Sequence, residues 1–99
     1  MKLVVLLSVF LSGAMAQACL GEAQIIAKLS SVQQTPTACV AKISGKNVSF
    51  YSENMICPLD LVDVEKTVVV LGATCVNQAG DEVSGVIAKT SDGSLVLGK

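Results

Sequence analysis

Apolar and polar residues alternate along most of the chain beyond residue 22, and β-branched residues are frequent there. This pattern predicts β-strands with one buried face. In the first strand, predicted at 23–32, alternate residues from Ile25 to Leu29 form an apolar face, and Ile26 is an apolar exception on the opposite face. Further strands are predicted at 38–44, 47–52, 67–71 (continuing past a bend to 75), 82–90 and 94–97, which makes five or six strands.

Turn-forming residues separate these strands. Pro36 fixes a polar turn at 33–37, and 77–81 is a loop. Gly45-Lys46 is a tight connection, so the second and third strands are expected to pair as a hairpin. Asp92-Gly93 predicts a second hairpin, because Asp-Gly favours the two-residue type I′ turn.

The region 53–66 has a different pattern, which predicts one or two helical turns. Pro58 suits a first helical position, and the acidic residues after it suit the positive end of a helix dipole. Leu59, Val62 and Lys66 would share one helical face, and Leu61 and Val64 another. The β-branched run that follows, 67–71, predicts a strand covered on both faces.

Three strands, a short helix and two or three further strands give an element order that resembles an OB-type barrel. The expected fold is mainly β: a small antiparallel five- to six-stranded barrel or sandwich with one short helix. An OB ligand face normally uses stacked aromatic rings and positive charge. Beyond residue 16 only Phe50 and Tyr51 are aromatic, and we expect Phe50 in the core and Tyr51 exposed.

The N-terminus has the features of a cleavable secretory signal peptide at 1–16. Lys2 precedes an apolar run over 3–11, and Ala14-Met15-Ala16 is a small-residue cleavage site. A cut after Ala16 leaves a single domain at 17–99, secreted or periplasmic. Lipidation of Cys19 is the competing interpretation, disfavoured because it would leave an odd number of cysteines.

Four cysteines follow the predicted cleavage site: Cys19, Cys39, Cys57 and Cys75. An even number in an exported chain predicts two structural disulfides. Three connectivities are open, and pairing of neighbours (Cys19 with Cys39, Cys57 with Cys75) is preferred because each bond would tie adjacent segments. The spacing lacks the Cys-x-x-Cys pairs of thiol oxidoreductases and zinc sites.

Composition narrows the function. The chain has no histidine, which excludes Ser-His-Asp and Cys-His hydrolases. Beyond residue 16, six lysines stand against eight acidic residues, so no basic surface for nucleic acid is expected. The carboxylates at 60–65 do not match a calcium loop, so no metal site is predicted. No cofactor and no catalytic residue is predicted either.

A recurring pattern places Lys28, Lys42 and Lys89 between apolar and small residues in three strands. These lysines could form one surface for an anionic polymer. The preferred interpretation is that they keep solvent-facing strands soluble. Asn47-Val48-Ser49 matches the N-glycosylation pattern, which matters only in a eukaryotic source.

Two functions remain, with an enzyme as a distant third. The first is an exported, non-enzymatic, monomeric binding module that recognises a protein or envelope partner by strand edges or by the loops at 35–37 and 77–81. The second is a structural, envelope-associated protein that self-assembles through the apolar strands at 68–71 and 95–97. Neither hypothesis identifies the ligand.

Overall fold

The computed structural model describes residues 20–98, which form seven strands, one α-helix and a single 3₁₀ turn. The predicted signal peptide at 1–16 and Cys19 lie outside the described residues. The elements in chain order are β1 (Glu22–Lys28), β2 (Ser31–Gln34), β3 (Cys39–Lys42), the 3₁₀ turn (Gly45–Asn47), β4 (Val48–Glu53), α1 (Leu61–Lys66), β5 (Val69–Gly72), β6 (Glu82–Lys89) and β7 (Leu95–Gly98).

The strand count is seven rather than five or six because the first predicted strand is divided. Its pairing partner changes in the middle: the Leu29 amide donates to Asp81, whereas the next amide, that of Ser30, donates to Lys42. β1 and β2 are therefore consecutive parts of one bent strand. The prediction that the fold is mainly β with one short helix is confirmed.

All seven strands belong to one curled sheet, a half-barrel, in the order β2-β3-β5-β7-β6-β1-β4. Neighbouring strands are antiparallel except β5 and β7, which are parallel. The expectation of a wholly antiparallel sheet is therefore wrong at this pair. The reason is the crossover, since the chain leaves β5, forms β6 and returns as β7 on the side of β5.

The predicted hairpin between the second and third strands is also wrong. β3 pairs with β2 and β4 pairs with β1, so both run antiparallel to the same bent strand. Gln34 pairs with Cys39 near the tip of this long hairpin, and Ala23 pairs with Glu53 at its other end. The 3₁₀ turn carries the chain onward in one direction and does not reverse it.

The core lies on the concave face of the sheet, where alternate strand residues meet. The predicted apolar face of the first strand is confirmed: Ile25, Ala27 and Leu29 are almost completely buried. No polar or charged side chain within residues 20–98 is buried. The rest of the core cluster consists of Ala23, Ala41, Ile43, Leu59, Val64, Val69, Val83, Ile87, Leu95 and Leu97.

A β-bulge in β4 reverses the predicted positions of the two aromatic rings. Ile26 pairs with Phe50, but its neighbour Ala27 pairs with Val48, so Ser49 is an extra residue on β4. Beyond the bulge the side chains exchange faces. Val48 and Tyr51 both pack against the core, and Phe50 is 46 % exposed on the outer face, contrary to the prediction that Phe50 is buried.

The helix forms within the predicted region but begins later. Asp60 is its N-cap, with a side-chain oxygen that accepts from the Val62 amide at 3.3 Å. Pro58 is not the first helical residue; it lies beside Glu22 in an isolated parallel bridge. Val64 is buried, as the inward helical face requires. In the described part of the chain, no helix has the length and apolar content needed to cross a bilayer.

The hairpin predicted at Asp92-Gly93 is confirmed, but its loop has three residues. The Thr90 amide donates to the Ser94 carbonyl, and Gly93 adopts a φ of 90° in the loop. A positive φ at this position is typical of three-residue hairpin loops. Hydrogen bonds from the Thr90 hydroxyl and from Ser94 lower the pKa of Asp92 to about 2.

The disulfide between Cys39 and Cys75 joins β3 to the segment after β5. The preferred pairing of sequence neighbours is therefore wrong. Cys39 pairs in register with Gly72 at the end of β5, which brings the following segment alongside it. The β-branched run at 67–71, predicted to be covered on both faces, is covered less than that. Val69 is buried, but Val68 is 41 % exposed.

Candidate functional site: an exposed apolar turn

The two loops predicted to bind a partner are polar and fold back on themselves. In the loop at 35–37, the Thr35 hydroxyl oxygen accepts from the Ala38 amide at 3.0 Å. In the loop at 77–81, the Gln78 amide donates to Asp81, and the Gly80 amide donates to Leu29 of the bent strand. Neither loop offers a large apolar side chain.

The most exposed large apolar side chains instead lie in the turn at 54–57, which follows β4. Met55 is 96 % exposed and Ile56 is 90 % exposed. Two adjacent apolar side chains in solvent are unusual for a turn, where polar residues normally dominate. We call Met55 and Ile56 the apolar turn.

The backbone of this turn is held by a set of hydrogen bonds centred on Asn54. Its side-chain oxygen accepts from the amides of Ile56 (2.8 Å) and Cys57 (3.0 Å). Its own amide donates to the Glu22 carbonyl, and the Glu22 amide donates to the Cys57 carbonyl. Cys57 is also disulfide-bonded. The apolar turn therefore projects from a fixed base at the end of β1 and β4.

The apolar turn is not among the sites that the sequence pattern predicts, because the region 53–66 predicts only helical turns. A local signal is present. Met55 and Ile56 lie between a polar strand end and Cys57-Pro58, where neither a strand nor a helix pattern continues. Asn54 favours a turn in which its side chain accepts from the backbone two or three residues later.

Two carboxylates lie at the base of the turn. The Glu22 side chain accepts from the Asn54 side-chain amide at 3.2 Å, and Glu53 immediately precedes the turn. Burial raises the pKa of Tyr51 to about 12, and the negative charges of Glu53, Asp60 and Asp63 add to this effect. This end of the sheet is therefore acidic as well as apolar.

The outer face of β4, β1 and β6 has a shallow groove beside the turn. One part, of about 310 Å³, is bordered by Glu22, Asn54 and Val86. An adjoining part, of about 240 Å³, shares Val86 and extends to Ile26 and Phe50. The exposed Phe50 ring thus adds an apolar side chain to this part of the groove.

The three recurring lysines do not form one surface. Lys28 pairs with Glu82 at one end of the β1–β6 ladder, whereas the Lys89 amide donates to Gly21 at the opposite end. Lys42 lies at the end of β3, beside Ser31. All three side chains are exposed, so their positions fit solvent-facing residues better than a common binding site.

A groove of about 250 Å³ does bring lysine and serine side chains together, as a Ser-Lys catalytic pair would require. Lys28, Lys46 and Ser49 line it. However, the Ser49 hydroxyl donates to the Ile26 carbonyl at 3.2 Å, so its proton is directed to the backbone and not to an amine. Among the described residues, no three His, Cys, Asp or Glu side chains are grouped as a metal site would need.

Comparison with known proteins gives no match to a protein family, a curated sequence or a solved structure.

Proposed function

We propose that this chain is a small, non-enzymatic binding module that is exported from the cell and recognises a protein partner through the apolar turn. The observation that carries the proposal is the near-complete exposure of Met55 and Ile56 on a turn fixed at its base. Apolar side chains that remain exposed on a rigid support are typical of interaction sites.

The energetics favour recognition by this turn. Burying a side chain such as Met or Ile contributes roughly 1.5–3 kcal/mol each. Part of this favourable free energy is normally lost on association, because a flexible loop must become ordered. Because Asn54 and Cys57 already hold the turn, this loss should be small.

Recognition by the turn is preferred to recognition by addition of a strand at the β4 edge. β4 is an edge strand of the sheet, and the segment after it returns to the core through Leu59 and Val64. The Tyr51 hydroxyl donates to the Leu59 carbonyl, and the Gly45 amide at the start of the 3₁₀ turn donates to Glu65 of α1 at 2.6 Å. These contacts hold the segment after β4 close to this edge strand.

Export is supported by the N-terminal sequence pattern and by the Cys39–Cys75 disulfide. Structural disulfides persist in oxidising compartments and are rare in the cytosol. We therefore propose a secreted or periplasmic location. Nucleic acid is not the proposed partner, because the acidic end of the sheet would repel phosphates.

The strand pairing supports an OB-type order for the half-barrel. The bent strand β1–β2 pairs with β6 and with β3, β3 pairs with β5, and β5 pairs with β7, which returns to β6. In this chain α1 lies before β5, whereas in an OB-type barrel the helix lies between the third and fourth strands. The similarity concerns topology and carries no activity.

The experiment replaces the apolar turn in the oxidised full chain. A Met55→Ser/Ile56→Ser variant should lose at least tenfold in affinity for partners captured from the exported protein fraction of the source. Val76→Ser is the matched control, because Val76 is 86 % exposed but lies near the opposite end of the bent strand, after Cys75. Equal binding by both variants and the original chain would contradict the proposal.

Self-assembly is a second candidate function, and one observation favours it. Val40, Val70 and Val96 are register neighbours on β3, β5 and β7, and Ala88 of β6 continues the row. This row lies on the outer face. Light scattering after size exclusion separates the candidates: a monomer supports the binding module, and concentration-dependent growth abolished by Val70→Thr supports assembly.

A further inference from the structure

We infer that the partner of the apolar turn is a protein with an apolar pocket rimmed by basic side chains, and not a lipid bilayer. This inference rests on the proposed function and adds the chemistry of the partner. It is carried by the distribution of charge around Met55 and Ile56.

Acidic residues precede and follow the apolar turn along the chain. Glu22 is hydrogen-bonded to the side chain of Asn54, and Glu53 is the last residue of β4. Asp60 caps α1, and Asp63 lies in its first turn. A bound surface that accepts Met55 and Ile56 therefore also approaches several carboxylates.

Most basic side chains lie elsewhere. Lys46 is in the 3₁₀ turn before β4, at the opposite end of that strand from Met55. Lys28 and Lys42 lie toward the far end of the bent strand, and Lys66 ends α1. Of the lysines within residues 20–98, only Lys89 is at this end, where its amide donates to Gly21.

This charge distribution disfavours a membrane surface. Peripheral membrane elements combine apolar side chains with lysine or arginine, because cytoplasmic and bacterial lipids are often anionic. Here carboxylates take the place of those basic residues. A protein pocket with basic residues at its rim would instead be attracted to the same carboxylates, while Met55 and Ile56 fill its apolar centre.

Met55 allows the site to be labelled selectively. The chain has three methionines, and Met1 and Met15 belong to the predicted signal peptide. Photo-methionine incorporated during expression therefore places a cross-linker at Met55 in the processed chain. We would irradiate this chain in the exported fraction of the source, identify the cross-linked polypeptide by mass spectrometry and purify it.

Affinity for that polypeptide is then measured by titration calorimetry at low and high NaCl. We expect roughly tenfold weaker binding at high salt, since screening weakens attraction between exposed charges. Glu53→Gln should weaken binding several-fold. Glu82→Gln, which neutralises an exposed carboxylate at the opposite end of β1, should leave it unchanged.

Sedimentation with lipid vesicles tests the alternative that the apolar turn binds a lipid bilayer. The chain should not sediment with vesicles of phosphatidylcholine or of phosphatidylglycerol. Sedimentation that Met55→Ser/Ile56→Ser abolishes would show a membrane site and overturn the inference.

The remaining outcomes distinguish the two proposals. A partner whose binding needs Met55 and Ile56 but ignores salt and Glu53→Gln would overturn the basic rim and keep the binding module. A partner indifferent to Met55→Ser/Ile56→Ser, or no cross-linked polypeptide together with no vesicle binding, would overturn both.

Discussion

At the scale of single residues, one extra residue in β4 decides which aromatic ring is buried. Strict alternation predicts that Val48 and Phe50 share a face, but the bulge at Ser49 interrupts it. Tyr51 then faces inward and its hydroxyl reaches the Leu59 carbonyl, while Phe50 joins the outer groove. Alternation within a strand is local, whereas a bulge depends on the pairing partner.

The inward position of Tyr51 predicts that its phenol ionises at a higher pH than an exposed tyrosine does. Burial, followed by the charges of Glu53, Asp60 and Asp63, raises its pKa from 10.0 to about 12. As pH rises from 10 towards 12, the unfolded chain therefore loses its phenol proton first, and folded-state stability falls. Below pH 10 the phenol is protonated in both states and contributes no pH dependence.

Ultraviolet titration can measure this directly, because Tyr51 is the only tyrosine and tryptophan is absent. The tyrosinate absorbance should appear near pH 12 in the folded chain and near pH 10 in urea. Tyr51→Phe should remove the alkaline loss of stability that is due to this group. A midpoint near 10 in the folded chain would show that the phenol is not shielded.

Two glycines provide a matched test of close packing between strands. Gly85 in β6 and Gly72 in β5 have nearly equal φ values, 159° and 156°. A Cβ at Gly85 would overlap the carbonyl oxygen of Gly98, whereas a Cβ at Gly72 meets nothing within 4 Å. Gly85→Ala should therefore cost about 1–3 kcal/mol more than Gly72→Ala, the usual range for overpacking. Urea denaturation of both variants checks the difference, and equal losses would contradict it.

At the scale of elements, the long hairpin is the main organiser of the molecule. β1–β2 and β3–β4 run alongside each other from the tip near Gln34 to the pair Ala23 and Glu53. The apolar turn follows at the open end of this hairpin, and the polar turn at 35–38 closes the other end. The exposed apolar residues are thus separated from the hairpin tip by the full length of two strands.

Asn54 should control the rigidity of the apolar turn. Asn54→Ala removes the side-chain oxygen that accepts from the amides of Ile56 and Cys57. Hydrogen bonds from these amides to solvent should replace it only in part. We expect a loss of about 1–2 kcal/mol in stability, as is usual for two hydrogen bonds of this kind. Amide exchange should accelerate at Ile56 and Cys57 but not at buried Ile87 of β6. Unchanged exchange at the turn would mean that the disulfide at Cys57 is a sufficient restraint.

At the scale of the whole molecule, a small curled sheet is reinforced covalently. A chain of this size has a limited core, so cross-links should supply a large part of the stability. The Cys39–Cys75 disulfide spans 36 residues and connects β3 with the segment beyond β5. Gln34 supports the same junction, because its side chain accepts from the Cys75 amide and donates to the Ala73 carbonyl.

Removal of this disulfide should be severely destabilising. Loop-closure entropy for a bond of this span corresponds to about 4 kcal/mol, within typical domain stabilities of about 5–15 kcal/mol. Cys39→Ala/Cys75→Ala should therefore lower the free energy of unfolding by about that amount, measured by urea denaturation. Reduction of the original chain also opens the disulfide at Cys57, so it should lower the free energy of unfolding by more than the double substitution does. A variant that retains the original denaturation midpoint would contradict a stabilising role.

The sequence by itself determined the β class, most strand positions, the helix region and the inward face of the first strand. These features depend on local periodicity, as Ile25, Ala27 and Leu29 illustrate. It also determined the absence of histidine, which excludes Ser-His-Asp and Cys-His hydrolases, and the acidic balance of the residues beyond residue 16. The N-terminal signal and the pairing of Cys19 stay predictions.

Only the tertiary structure decided which strands pair, which cysteines Cys39 and Cys75 join, and where the apolar surface is. β3 and β4 pair along one bent strand because the 3₁₀ turn does not reverse the chain, a property that Gly45-Lys46 does not encode locally. The position of Met55 and Ile56 likewise depends on distant residues, since backbone hydrogen bonds to Glu22 hold both ends of the turn. Strand pairing and side-chain exposure depend on contacts between residues that are far apart in the sequence. A local sequence pattern describes only one of the two residues in each such contact.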